Sequence, residues 1–212
     1  MTIQRLEQII ETKSGKPQID NSSHPMREVT KLIAKNEDNW TPEISNQVSS
    51  LFNSRANEWN QTRHEYIKDP VNDALNRAGL TDTEVAVEVG CGTGIYTSVL
   101  QSKFRHVMSV DLSYNMLEQC DRTKGTYIQA DSMRLPFKDN SISAVVLINC
   151  FLFKREILRI LKGNGKLLWI STSGESTPIY LTPEQIQEIF PESTIKTSSA
   201  GWGSWCSVEN LK

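Results

Sequence analysis

What the 212-residue chain lacks narrows its reading first. Its four cysteines (Cys91, Cys120, Cys150 and Cys206) never pair as Cys-x-x-Cys. That argues against a zinc knuckle or a disulfide frame and points to a reduced, cytoplasmic setting. No apolar run approaches the roughly 20 residues of a membrane-spanning helix. The opening MTIQRLEQIIETK has no basic start followed by an apolar block, so no secretory leader is expected. Neither sign of charge dominates, with 23 Lys and Arg against 25 Asp and Glu. In residues 1–40, Arg5, Lys13, Lys16, Arg27, Lys31 and Lys35 are matched by Glu7, Glu11, Asp20, Glu28, Glu37 and Asp38. A balanced surface gives no electrostatic case for a nucleic acid or an acidic membrane. No acidic cluster has metal-ligand spacing, so no metal is expected. Repeats and long low-complexity stretches are also missing.

What is present falls into two parts, an N-terminal helical cap over residues 1–79 and an alternating core over 80–212. In the first, Ile3, Leu6, Ile9 and Ile10 share one face of a short predicted helix. Residues 14–23 read as loop. Met26, Val29, Leu32 and Ile33 form a second stripe, and Thr41-Pro42 opens a helix carrying Ile44, Val48, Leu51 and Phe52. Asp69-Pro70 repeats that start signal, and Gly79 reads as a C-cap. In the core, strands are predicted at 85–89, 106–110, 127–130, 143–149 and 166–170. Helices fall between them at 94–103, 113–120 and 154–161, with a turn at 163–165. Thr182-Pro183-Glu184-Gln185 is a capping box opening a further helix. A hairpin over 193–199 and 204–211 closes the chain and adds an antiparallel strand at one edge. Repeated strand–helix units imply a parallel sheet with helices on both faces.

The stretch VAVEVGCGTG, residues 85–94, carries the sharpest signal. Gly90, Gly92 and Gly94 follow a strand that contains Glu88, at a place where such sheets bind ligands. Glycine there lets the backbone come close to a ligand. A dinucleotide fingerprint would need its third glycine at Ile95, whereas this chain has it one residue earlier. The shorter spacing fits an adenosyl ligand with an amino-acid tail; the bland alternative is a tight strand–helix turn. Asp111 ends the next strand, where a carboxylate can accept both ribose hydroxyls. Its alternative role, capping the following helix, falls to Ser113. Asp131 ends the third strand and can accept from an adenine amino group, or serve as a turn aspartate.

With these segments in view, residues 84–170 resemble a class I S-adenosylmethionine-dependent methyltransferase of the small methyltransferase-11-like kind. The resemblance rests on VEVGCGTG, VDLSYNML, ADSMRLPF and LRILKGNGKLLWI. It implies a Rossmann-like seven-stranded sheet, order 3-2-1-4-5-7-6 with the last strand antiparallel. It implies cofactor contacts from Glu88, Gly90, Cys91, Gly92, Gly94, Asp111, Leu112, Met116, Asp131, Ser132, Met133 and Asn149, with S-adenosylhomocysteine as product. Cys91 is read as a small loop residue, not a nucleophile. A family proline is replaced in Lys162-Gly163-Asn164-Gly165.

After Asn149 the chain moves almost directly into helix, so a roof over the acceptor must come from the N-terminal segment. Residues 56–70 are the expected lid, with Trp59, Arg63, Cys150 and Phe151 facing the acceptor. His64, then Tyr66, are the candidate general bases, needed only for a protonated hydroxyl or amine. His24 and His106 are weaker candidates, the latter starting a strand at the far end. The Asn/Asp-Pro-Pro-Tyr/Phe signature of amino-group methyltransferases is missing after strand four. A small-molecule acceptor follows by elimination, for a monomer or homodimer with no nucleic-acid or membrane partner. The rival readings are an NAD(P)-dependent oxidoreductase and a non-catalytic module that binds the cofactor.

Overall fold

The computed structural model describes residues 2–15, 21, 23–61, 65–80 and 85–211. In chain order the elements are strand β1 (Thr2–Arg5) and helices α1 (Pro25–Lys35), α2 (Pro42–Arg55) and α3 (Asp69–Arg77). Then come β2 (Val85–Val89), α4 (Thr97–Gln101), β3 (His106–Asp111), α5 (Tyr114–Glu118), β4 (Thr126–Gln129) and β5 (Ile142–Ile148). The chain closes with α6 (Lys154–Ile160), β6 (Leu161–Ser171), α7 (Pro183–Ile189), β7 (Thr194–Ala200) and β8 (Gly203–Glu209).

One sheet of eight strands runs β1-β7-β8-β6-β5-β2-β3-β4. The expected seven-strand order lies within it, extended at one edge by β1. Residues 2–10 are therefore not the predicted helix. β1 lies parallel to β7, with Ile3 opposite Ile195. Beyond the strand, Leu6 N–H donates to Thr197 O at 2.8 Å, and Gly201 N–H donates to Ile10 O at 3.0 Å. An isolated short helix is marginal in water. The unpaired edge of β7 offers the same backbone a ladder, and the ladder wins. The antiparallel strand β8 sits inside the sheet between β6 and β7, not at its edge.

The predicted turn at 163–165 is absorbed into β6, where the pairing slips from Ile142↔Leu161 to Ala144↔Lys166. Extra residues on one strand make a bulge. Gly165 permits it, since a Cβ there would lie 2.9 Å from Lys162 O.

Strand alternation builds two apolar layers. Val87, Val145 and Leu147 face the cluster that contains Ile157 of α6 and Ile186 of α7. Ala86, Ala144 and Val146 face the cluster that contains Val71 and Ala74 of α3 and Leu100 of α4. Buried Asp73 anchors α3: it pairs with Arg77 at 3.0 Å and accepts from Trp205 Nε1 at 2.7 Å. The Thr41 and Thr182 caps form, whereas Asp69 lies inside α3, which Lys68 precedes with no side-chain cap. Thr41 Oγ1 accepts from Ile44 N, and Thr182 and Gln185 form a complete capping box. Among the described residues no helix is long and apolar enough to cross a membrane.

Candidate cofactor and acceptor site

A pocket opens at the carboxyl ends of β2, β3, β4 and β5. Its floor comes from the core, through Gly90, Gly92, Asp111, Leu112, Met116, Ser132 and Asn149. Its roof comes from the N-terminal segment, through Trp40, Val48, Phe52 and Trp59.

The glycine loop leaves β2 with Gly90 at φ +75° and Gly92 at φ +56°, a region L side chains rarely adopt. The two glycines serve different ends. A Cβ on Gly90 would lie 2.4 Å from Cys150 Sγ, so that space is filled by protein. A Cβ on Gly92 would meet nothing nearer than Trp59 Nε1 at 3.7 Å, so this backbone is the stretch left open for close approach. Gly94 is also hemmed in, by Tyr127 and Cys120.

Glu88 lies buried beneath the loop. Its Oε2 accepts from Thr97 Oγ1 at 2.6 Å and Ser109 Oγ at 2.8 Å. Its Oε1 has no partner among the described residues. Burial pushes its pKa up to about 7, against the pull of the two hydroxyls. Asp111 closes β3: Oδ2 accepts from Gly92 N–H at 2.7 Å and Oδ1 from Ser113 N–H at 2.8 Å. Burial raises its pKa, and those backbone donors oppose the rise. Leu112 N–H adds a third backbone donor, and the carboxylate keeps acceptor capacity toward the pocket.

Asp131, beyond β4, is held otherwise. Trp40 Nε1–H donates to Oδ1 at 3.1 Å and Oδ2 at 2.9 Å. Ser45 Oγ donates to Oδ2 at 3.0 Å, and Met133 N–H donates to Oδ1 at 2.9 Å. Trp40 itself packs against Phe151 and Phe153, with ring centroids 5.5 Å apart in both pairs.

Asn149 has φ +51°, an uncommon backbone for a residue other than glycine. Its amide reaches sideways to β6's end, donating to Thr172 Oγ1 at 2.8 Å and accepting from Thr172 N–H at 3.0 Å. Of the lid expected at 56–70, Trp59 lines the pocket, and the observed roof begins earlier, at Trp40. Asn53 Oδ1 accepts from Ser113 Oγ at 2.7 Å, and Asn60 Oδ1 from Thr93 Oγ1 at 2.7 Å. Arg63 and His64 lie outside the described residues, as does the side chain of Tyr66. His24 caps α1, its Nδ1 accepting from Met26 N–H at 3.1 Å. His106 starts β3 at the far end of the sheet. The Cys91 thiol is raised well above its ordinary pKa, first by its hydrogen bond with Cys120 and then by burial, which suits a loop residue and not a nucleophile. Sequence reasoning missed Trp40 and Ser45 altogether; a tryptophan directly before the Thr41 cap was the available signal.

Residues 87–169 match the family model of a methyltransferase domain, Methyltransf_11. Residues 87–169 thus resemble a methyltransferase domain, on the fold of solved S-adenosylmethionine-dependent methyltransferases. Among curated proteins it is similar to the demethylmenaquinone methyltransferase of Staphylococcus saprophyticus, 34% identical over 110 residues. That match covers 45% of this chain and 47% of the relative. The chain thus spans about half the length of curated relatives such as this one. Its fold is shared with a methyltransferase of Haloferax volcanii solved with the Trm112 activator, at 15% identity and TM-score 0.64, over 76% of this chain and 98% of that one. An S-adenosylmethionine-dependent methyltransferase from Aquifex aeolicus gives TM-score 0.62 at 15% identity, over 75% and 98% of the two chains.

Proposed function

We propose that this chain binds S-adenosylmethionine across the strand ends and directs methyl transfer to a small, apolar acceptor. The observation that carries the reading is Asp111. It lines the pocket, bridges the glycine loop to the next helix, and keeps acceptor capacity toward the pocket. That is the acceptor pattern a ribose diol requires. The open backbone at Gly92 and the unpartnered Glu88 Oε1 beneath it suit an amino-acid tail with its ammonium group. Leu112 and Met116 supply apolar surface for the adenosyl group, and Asp131 is the acceptor for its amino group. Ser132 and Asn149 complete that wall, with Met133 contributing through its backbone N–H on Asp131.

The cofactor supplies a methyl carbon made electrophilic by a sulfonium. The chain's work is alignment and exclusion of water, which in favourable cases lowers a barrier by roughly 7–11 kcal/mol. Its two pocket acids serve ribose and adenine. A carboxylate on the sulfonium would favour the ground state over the transition state. Around them the lining is apolar, from Val48, Phe52, Trp59, Phe151, Phe153 and Ile179. A planar apolar acceptor fits that wall, in keeping with the quinone named in the staphylococcal relative. Where the acceptor carries a proton, His64 or Tyr66 is the proposed base, on the sequence alone. Residues 1–79 act as cap and 80–212 as cofactor-binding core.

Calorimetry with S-adenosylhomocysteine and with NADH tests the cofactor. Binding of the first and silence with the second is expected; the reverse would end the reading. A methyl-transfer assay over apolar quinols and polar amines tests the acceptor, with turnover confined to the quinols expected.

A further inference from the structure

Three donors already sit on Asp131. A carboxylate offers about four lone-pair sites. The single Trp40 Nε1–H is shared between Oδ1 and Oδ2, Met133 N–H sits on Oδ1, and Ser45 Oγ sits on Oδ2. Two of those donors come from the cap. Trp40 is a flat aromatic ring that presents one N–H to the carboxylate and is 8% exposed. An adenine presents the same features, a flat aromatic ring and an N–H donor.

We propose that Trp40 and Ser45 hold, on Asp131, the place of the cofactor's adenine amino group, so that the cap and the adenine compete for one carboxylate. This rests on reading Asp131 as the adenine acceptor. The physics favours an exchange over simple exposure. Asp131 is half-buried, and a carboxylate there stripped of its donors is costly, so the indole leaves as another donor arrives. The cap is then a selective gate. A ligand with a donor at this position can displace Trp40 and recover the lost bond. A ligand without one gains nothing by displacing it, and the cap stays closed on Asp131. Cofactor affinity is accordingly set lower than the core alone would give, because part of the binding energy goes into moving the cap.

The test compares S-adenosylhomocysteine with S-inosylhomocysteine, which carries a carbonyl oxygen in place of the amino group and its ring N–H one atom away, by calorimetry on the full chain. Trp40→Phe keeps the aromatic packing and removes the donor; Ser45→Ala removes the second donor with little risk to folding. Expected is about tenfold tighter binding of S-adenosylhomocysteine by Trp40→Phe and about threefold by Ser45→Ala, with the inosyl compound unchanged. Adding Asp131→Asn to Trp40→Phe should erase the gain. The indole N–H signal of Trp40, assigned by its loss in Trp40→Phe, should move on addition of S-adenosylhomocysteine and stay in place with the inosyl compound. Unchanged or weaker binding by both single variants overturns the competition. If Asp131→Asn alone still weakens the adenosyl ligand selectively, the adenine assignment survives that loss. If the gain in Trp40→Phe persists with Asp131→Asn added, the adenine assignment itself falls.

Discussion

Asp111 and Asp131 end neighbouring strands, yet they are wired to different parts of the molecule. Among the described residues, Asp111 is held by backbone N–H groups of the core, at Gly92, Ser113 and Leu112. Asp131 is held largely by side chains of the cap, at Trp40 and Ser45. Backbone donors within a strand-end turn cannot leave without undoing the fold around them. Side-chain donors on a separate segment can. One acid is therefore a fixed fixture of the sheet, and the other is shared between the sheet and whatever lies over it.

Breaking Asp111 should have the largest effect. Asp111→Ala removes the ribose acceptor and unties the glycine loop, at a cost in cofactor affinity of roughly 2–4 kcal/mol. Calorimetry with S-adenosylhomocysteine checks this, and binding like the unaltered protein would remove Asp111 from the site.

Next in size is Glu88, which lies beneath the same loop. Its pKa rises from the ordinary 4.5 to about 7 on folding. The native state therefore holds a proton that the unfolded chain releases. The stabilisation is fully present below about pH 4.5 and is lost as pH rises through about 7, amounting to roughly 3 kcal/mol. Glu88→Gln should flatten this part of the stability curve between pH 5 and 8. Denaturant melts of the ligand-free protein across that range would show it; an unchanged slope would mean Glu88 is not the source.

Asp131→Ala should cost less than Asp111→Ala, about 1.5 kcal/mol or below, because losing the adenine contact is offset by releasing Trp40. Equal losses for the two variants would erase the distinction drawn between the two acids. Smallest of all, Asn53→Ala removes the cap's bonds to Ser113 and Asn115 and should lower stability by about 1 kcal/mol. Its mark should be faster hydrogen exchange in residues 48–60, with the core unchanged.

The sequence already displayed the core half of this contrast. Gly92, Asp111 and Asp131 follow apolar strands, and period-two burial leaves no other register for them. Ser113, Thr41 and Thr182 announced their helices because capping is local chemistry. The cap half was hidden, since Trp40 and Asp131 are 91 residues apart and nothing local to either names the other. β1 was misread for a related reason. Ile3, Leu6, Ile9 and Ile10 satisfy a helical spacing, and only the distant free edge of β7 decides otherwise. Asn149 was placed correctly at the end of β5, but its left-handed backbone and its grip on Thr172 depend on a strand more than 20 residues later.

The pairing of β1 with β7 makes the cap a loop fastened at both ends, by β1 at the outer edge of the sheet and by α3 through Asp73 and Trp205. A tethered competitor obeys different arithmetic from a free one. Once off Asp131, Trp40 remains at an effective concentration set by the length of its tether, in the millimolar range for short flexible links. Its return is an intramolecular event, indifferent to dilution. Glu37 and Asp38 pair with Arg155 of α6 just before Trp40, so the arm that carries the indole is short. Arg155→Ala would lengthen that arm, lower the effective concentration of the indole and loosen the gate without altering a residue that touches the adenosyl group.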